Sequence, residues 1–143
     1  NIITTIFMVS NLDKIYEKIN SDNFSKFMGI QLLELREGYS KMAMTITENM
    51  LNFHNIAHGG AIFALADAAF AAASNSHGQT SVALCMNINY RSPANKGMRL
   101  VAECFEESLG KRTALYRIEV RSDDGKLIAS SQGIVYRKDE ELI

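Results

Sequence analysis

The sequence has almost no net charge, two cysteines, a single proline and no long uninterrupted apolar run. A formal charge of -1 gives no field strong enough to gather a polyanion, so nucleic acid is excluded as an expected partner. Cys85 and Cys104 are far apart, and neither has a Cys or His neighbour at metal-ligand spacing. They read as ordinary thiols of a reducing compartment. With no His/Cys cluster and no glycine-rich dinucleotide fingerprint, no metal and no redox cofactor are expected. Crossing a bilayer takes roughly 20 apolar residues. The richest candidate, Ala61 to Ala73, is shorter, rich in alanine and interrupted by Asp67, so no membrane span is expected. The apolar stretch Asn1 to Val9 lacks the basic flank and the small-residue cleavage site of a signal peptide. A cytoplasmic location is the expectation.

What remains is the composition of one packed domain over residues 1–143, with 47% hydrophobic and 22% charged residues and no repeats, linkers or low-complexity segments. From Ser10 to Met28 the apolar residues Leu12, Ile15, Tyr16, Ile19, Phe24, Phe27 and Met28 recur at helical intervals, with a break near Asn20 to Asp22. One or two amphipathic helices are predicted in this N-terminal segment, residues 1–28. After Gly29 the period changes, and Ile30 to Arg36 and Tyr39 to Thr47 read as a hairpin turning at Arg36-Glu37-Gly38. Ala61 to Ala73 is apolar almost all round, so a helix there must be wrapped. Four strand-like runs follow: Ser81 to Arg91, Met98 to Glu107, Thr113 to Arg121 and Leu127 to Arg137. Their joints carry turn chemistry: Ser92-Pro93 with Lys96-Gly97, Leu109-Gly110, and Asp123-Asp124-Gly125. The expected fold is α+β, a curved antiparallel sheet of about six strands, the last four a meander, around one central helix.

The stretch that carries chemistry is Asn52-Phe-His-Asn-Ile-Ala-His58-Gly59-Gly60, followed by Asp67 within the apolar helix. Two glycines at a helix start leave first-turn N–H groups unobstructed where the helix dipole is positive, a setting that suits an oxyanion. They could equally serve a tight turn or close packing. Asp67, flanked by Ala66, Ala68 and Ala69, is costly to desolvate unless paired or at a solvated rim. Its functional reading is a general base for water, or a nucleophile towards a carbonyl, with a pKa raised by burial. The eight residues between Gly59 and Asp67 span roughly 12 Å of helix, so one carbonyl cannot touch both in a single copy. Two helices antiparallel across a two-fold axis remove the difficulty, which implies a homodimer with shared sites.

The pattern Asn52, His58-Gly59-Gly60, Asp67 within Ala-Leu-Ala-Asp-Ala-Ala-Phe-Ala, and Asn87-Ile-Asn-Tyr-Arg-Ser-Pro93 resembles the hotdog-fold acyl-CoA thioesterases of the phenylacetate-pathway, PaaI-like type. The resemblance runs from about Gly29 to Arg137 and implies hydrolysis of an acyl-CoA by a homodimer, assembled as a dimer of dimers. It assigns the Gly59 N–H to the thioester carbonyl, Asp67 to water activation or attack, and Asn52 to placing the water or the acid. His58 is assigned more to shaping the turn than to proton exchange. Coenzyme A would be held around Gly60, Tyr90, Arg91, Ser108, Gly110, Lys111, Arg112, Thr113 and Arg137, though any one of these basic residues reads equally well as solvated surface. Where some relatives carry a substrate-contacting serine, this chain has Ala83, which leaves the acyl preference open. Phe63, Phe70, Met28 and Met50 could line an acyl pocket or fill the core. His54 and His77 read as loop residues. Two other classes compete. A hotdog hydratase needs a helix-borne His and acid pair that is not evident, and a non-catalytic acyl-CoA binder gains nothing from a desolvated Asp67.

Overall fold

A computed structural model describes residues 10–143, so the apolar stretch Asn1 to Val9 lies outside the described residues. Helix α1 (Asn11–Asn20) starts with a capping box, in which the Asp13 amide donates to Ser10 Oγ and the Ser10 amide donates back to the Asp13 carboxylate. The break predicted near Asn20 to Asp22 is real. Asp22 caps a second helix, α2 (Asn23–Met28), by accepting from the Ser25 amide at 3.0 Å and the Ser25 hydroxyl at 2.6 Å. Gly29 then ends α2 at φ 73°, a left-handed conformation that side chains resist.

Six antiparallel strands follow: β1 (Gln31–Arg36), β2 (Tyr39–Thr45), β3 (Gln79–Tyr90), β4 (Arg99–Leu109), β5 (Thr113–Ser122) and β6 (Leu127–Glu141). Helix α3 (Gly59–Asn75) stands between β2 and β3. The sheet order is β1-β2-β4-β5-β6-β3, which corrects one expectation: only β4, β5 and β6 form a meander. β3 pairs with β6 rather than with β4, because β4 is already flanked by β2 and β5. The segment from Arg91 to Met98 returns the chain across the sheet, held by the Ala57 amide on the Ala94 carbonyl and the Gly97 amide on the Ile46 carbonyl.

The core lies between the concave face of the sheet and α3. Along β5 the residues Ala114, Tyr116, Ile118, Val120 and Ser122 alternate inward, as a half-buried strand requires. They meet Leu65, Ala66, Ala69, Phe70, Ala72 and Ala73 of α3. The Phe70 ring seats on Gly133 of β6, where a Cβ would come within 2.6 Å of Phe70 Cζ. Phe70 and Met50 are therefore core residues, while Met28 and Phe63 are only partly covered.

The wrapping of α3 is incomplete, which corrects a second expectation. Gly60, Phe63, Ala64, Asp67, Ala68 and Ala71, spaced at three and four residues, form one stripe that the sheet leaves wholly or partly open. The strand β3 is the other unfinished surface. It is an edge of the sheet, with Val82, Leu84 and Tyr90 exposed beside Ile134 of β6.

Candidate active site

Asp67 projects from the open stripe of α3 and is solvent-exposed in the protomer, the solvated-rim position that the sequence left open beside a buried pairing. The reason is positional, since the sheet covers only the opposite side of the helix. Asp67 lies in the wall of an open cleft of about 660 Å³ between α3 and the α1–α2 pair. Protein on that side withholds enough water to raise its pKa above the ordinary 3.8, and the Asp22 carboxylate adds a smaller push in the same direction.

Gly59 opens α3 at the far end of the same helix. Its amide makes no hydrogen bond among the described residues, whereas the Gly60 amide donates to His58 Nδ1 at 2.9 Å. Of the two first-turn donors expected to be free, only the Gly59 amide is free. His58 is the N-cap of the helix, with a ring nitrogen where Ser or Asp usually places an oxygen. Accepting at Nδ1 leaves Nε2 to carry the ring proton of the neutral imidazole. Gly60 instead lines a small cavity with Met28, Met50 and His58.

The glycine at position 59 has a packing reason as well. A Cβ there would lie 3.1 Å from Cζ and from the hydroxyl of Tyr90, and that hydroxyl donates to the Gly59 carbonyl at 2.9 Å. The close-packing and free-donor readings therefore hold together. Asn52 accepts at Oδ1 from the amides of His54 at 2.8 Å and Ile56 at 3.4 Å, which shapes the turn before α3. Asn52, Gly59, Tyr90 and Arg91 line one cavity of about 520 Å³.

The remaining basic residues do not join that cavity within one protomer. Arg137 donates through Nη1 to the Gly110 carbonyl at 2.7 Å and through its amide to the Arg112 carbonyl at 2.7 Å. The Gly110 amide closes the turn on the Thr113 carbonyl, so Gly110, Lys111, Arg112, Thr113 and Arg137 form one group. Ser108 sits nearby at a register shift of β4. Arg137 pairs across the sheet with Ser81, while Tyr90 pairs with Ala129 at the other end of β3. At about 3.3 Å per residue the two basic groups stand nearly 30 Å apart along the strand.

A sequence model of the thioesterase superfamily matches residues 54–129, which span the first turn of α3, Asp67 and strands β3 to β5. The chain belongs to the thioesterase superfamily. Among thioesterase relatives, it is 37% identical to the acyl-coenzyme A thioesterase PaaI of Escherichia coli over 127 residues, covering 89% of each chain. The structure of the E. coli PaaI protein superposes with a TM-score of 0.87 over 92% of this chain and 99% of that one, at 34% identity. A variant of the phenylacetic acid degradation protein PaaI from Thermus thermophilus gives 0.79 at 42% identity, over 82% of this chain and 100% of that one. The hotdog fold and the PaaI-like resemblance expected from the sequence are thereby confirmed.

Two features of this thioesterase were not read from its sequence. Asp22 reads as a helix break, yet it brings a second carboxylate to the Asp67 cleft. The Asp22-x-x-Ser25 spacing is the N-cap signal that marks it. His77, read as a loop residue, binds Glu106 at 2.6 Å, and Glu106 also accepts from the buried Tyr116 hydroxyl at 2.8 Å. That cluster fastens the end of α3 to the sheet, away from the Asp67 cleft.

Proposed function

We propose that this enzyme hydrolyses acyl-CoA thioesters to the free acid and CoA in a site shared by two copies of the chain. The observation that carries the reading is the pairing of an unpartnered Gly59 amide with an open Asp67 farther along the same helix. The PaaI relative, an acyl-coenzyme A thioesterase, supports the substrate class.

In this reading the Gly59 N–H donates to the thioester carbonyl oxygen and stabilises the negative charge that grows there. Asp67 takes a proton from water as the water oxygen bonds to the carbonyl carbon. The tetrahedral intermediate collapses with cleavage of the C–S bond, and the proton held by Asp67 passes to the departing thiolate. A carboxylate with a raised pKa suits this role, because it is a better base than a free Asp. Asn52 acts mainly through its turn, which sets the approach to Gly59.

A second copy supplies what one protomer lacks. When two β3 edges pair antiparallel about their middle, the Tyr90 and Arg91 end of one lies beside Thr80 and Ser81 of the other. Thr80 and Ser81 line the Asp67 cleft, and Ser81 neighbours Arg137. Gly59 of one copy thus meets Asp67 of the other, and Arg91 meets the Gly110 to Thr113 turn with Arg137 to face the CoA phosphates. The same pairing covers the exposed Val82 and Leu84 and the open stripe of α3.

Thiol release from a panel of acyl-CoAs, comparing the wild type with Asp67→Asn, tests the proposal. Release that disappears in the variant supports it. Equal turnover by both proteins, or none by the wild type with any acyl group, rejects it.

A further inference from the structure

One wall of the cleft beside Asp67 comes from this chain's own N-terminal helices, which lie outside residues 54–129 matched by the superfamily model. Its floor is Ala64, Ala68 and Ala71 of α3, whose methyl groups leave a shallow apolar trough next to the carboxylate. Opposite stands Phe24 of α2, a large aromatic that is 57% exposed. Two further groups set the polarity. Asp22 faces the same space, and its charge is felt at Asp67. Lys18 is the cation on this wall, and its ammonium is already bound to the Leu142 carbonyl.

Resting on the thioesterase reading above, we infer that this cleft holds the acyl group, that Phe24 sets its size limit, and that Asp22 selects against acyl groups ending in a negative charge. The geometry follows from the reaction. A thioester carbonyl carbon within reach of Asp67 has its CoA arm directed to the strand ends, so its acyl substituent extends along the alanine trough towards α2. An apolar substituent of matching length buries against Phe24 and the trough, and a longer one meets the Phe24 ring. A terminal carboxylate would stand near both Asp22 and Asp67, and Lys18, the one cation of the wall among the described residues, is already engaged.

Two substitutions of Phe24 in opposite directions test the size limit against a series of straight-chain acyl-CoAs from acetyl to dodecanoyl. Phe24→Ala is expected to raise the ratio of kcat/KM for the longest over the shortest substrate by about tenfold or more, since one methylene alone contributes about that much in an apolar pocket. Phe24→Trp is expected to lower the same ratio. Asp22→Asn, which keeps a good N-cap for α2, is expected to raise succinyl-CoA relative to butyryl-CoA turnover by about fivefold. Circular dichroism confirms that each variant is folded. A wild type that hydrolyses acyl-CoAs, with Phe24 variants whose profiles run parallel to it, overturns this inference and leaves the thioesterase reading standing. A wild type that releases no thiol from any substrate overturns both.

Discussion

The Tyr90 hydroxyl, at the end of β3, donates to the carbonyl of Gly59 in the first turn of α3 at 2.9 Å. This bond sets the first turn of α3 against the exposed edge strand β3. A Cβ at position 59 would strike the Tyr90 ring at 3.1 Å. Gly59→Ala is therefore expected to displace the donor and lower kcat by about 10²–10³. Tyr90→Phe keeps the ring and loses only the hydrogen bond, so a loss below about tenfold is expected. Steady-state kinetics on both variants checks the ranking.

Asp67 makes stability depend on pH. Its folded pKa lies above 3.8, first through lost hydration and then through Asp22. The folded chain holds this proton more tightly than the unfolded one, so the carboxyl's stabilising contribution is complete below the unfolded pKa and is lost as pH rises through the folded value. Asp67→Asn should thus raise the melting temperature near neutral pH, and the gap should close towards pH ~3, while turnover falls by at least about 10². Asp22→Asn removes a like charge, lowers the Asp67 pKa, and should shift the acid limb of kcat/KM to lower pH. Melting curves and rate profiles across pH read both effects.

The open edge of β3 yields a separate expectation. Leu84 is 60% exposed in the protomer, so a charge there leaves the fold intact and opposes strand pairing. Leu84→Lys should produce a folded monomer by light scattering, with turnover reduced by at least about 10² because half of each site is missing.

Much of this was legible in the sequence, and the reasons differ from residue to residue. The break between α1 and α2 was written in Asp22, and the central helix in its run of alanines, though not the open stripe along it. The strand order was not, because periodicity reports which face of β3 is buried and not which strand lies beside it. Gly59, His58 and Asp67 were found because their types are costly or unusual at a helix start or in an alanine-rich helix. Whether Asp67 is paired or stands at an open rim was left undecided, since local sequence cannot tell a helix face covered by the sheet from one the sheet leaves open. The single free amide at Gly59 was hidden for a similar reason: only coordinates show His58 Nδ1 taking the Gly60 donor. Phe24 and Asp22 were read as helix residues and not as cleft residues, because the cleft they line is completed by α3, distant in sequence.

Gly133 offers a purely structural check on how α3 is seated. A methyl group there would sit 2.6 Å from Cζ of the buried Phe70 ring. Gly133→Ala should cost about 1–3 kcal/mol of stability through overpacking, measured by urea denaturation.

If Gly59 of one copy works with Asp67 of the other, two crippled variants complement each other when mixed, and this is the most direct test. Asp67→Asn and Gly59→Ala are unfolded together, refolded as a mixture and assayed for thiol release. Shared sites give each mixed dimer one intact site, with Asp67 from the Gly59→Ala chain and Gly59 from the Asp67→Asn chain. Random pairing then restores about a quarter of wild-type activity. A refolded mixture that contains mixed dimers and is no more active than its two parents would contradict the account.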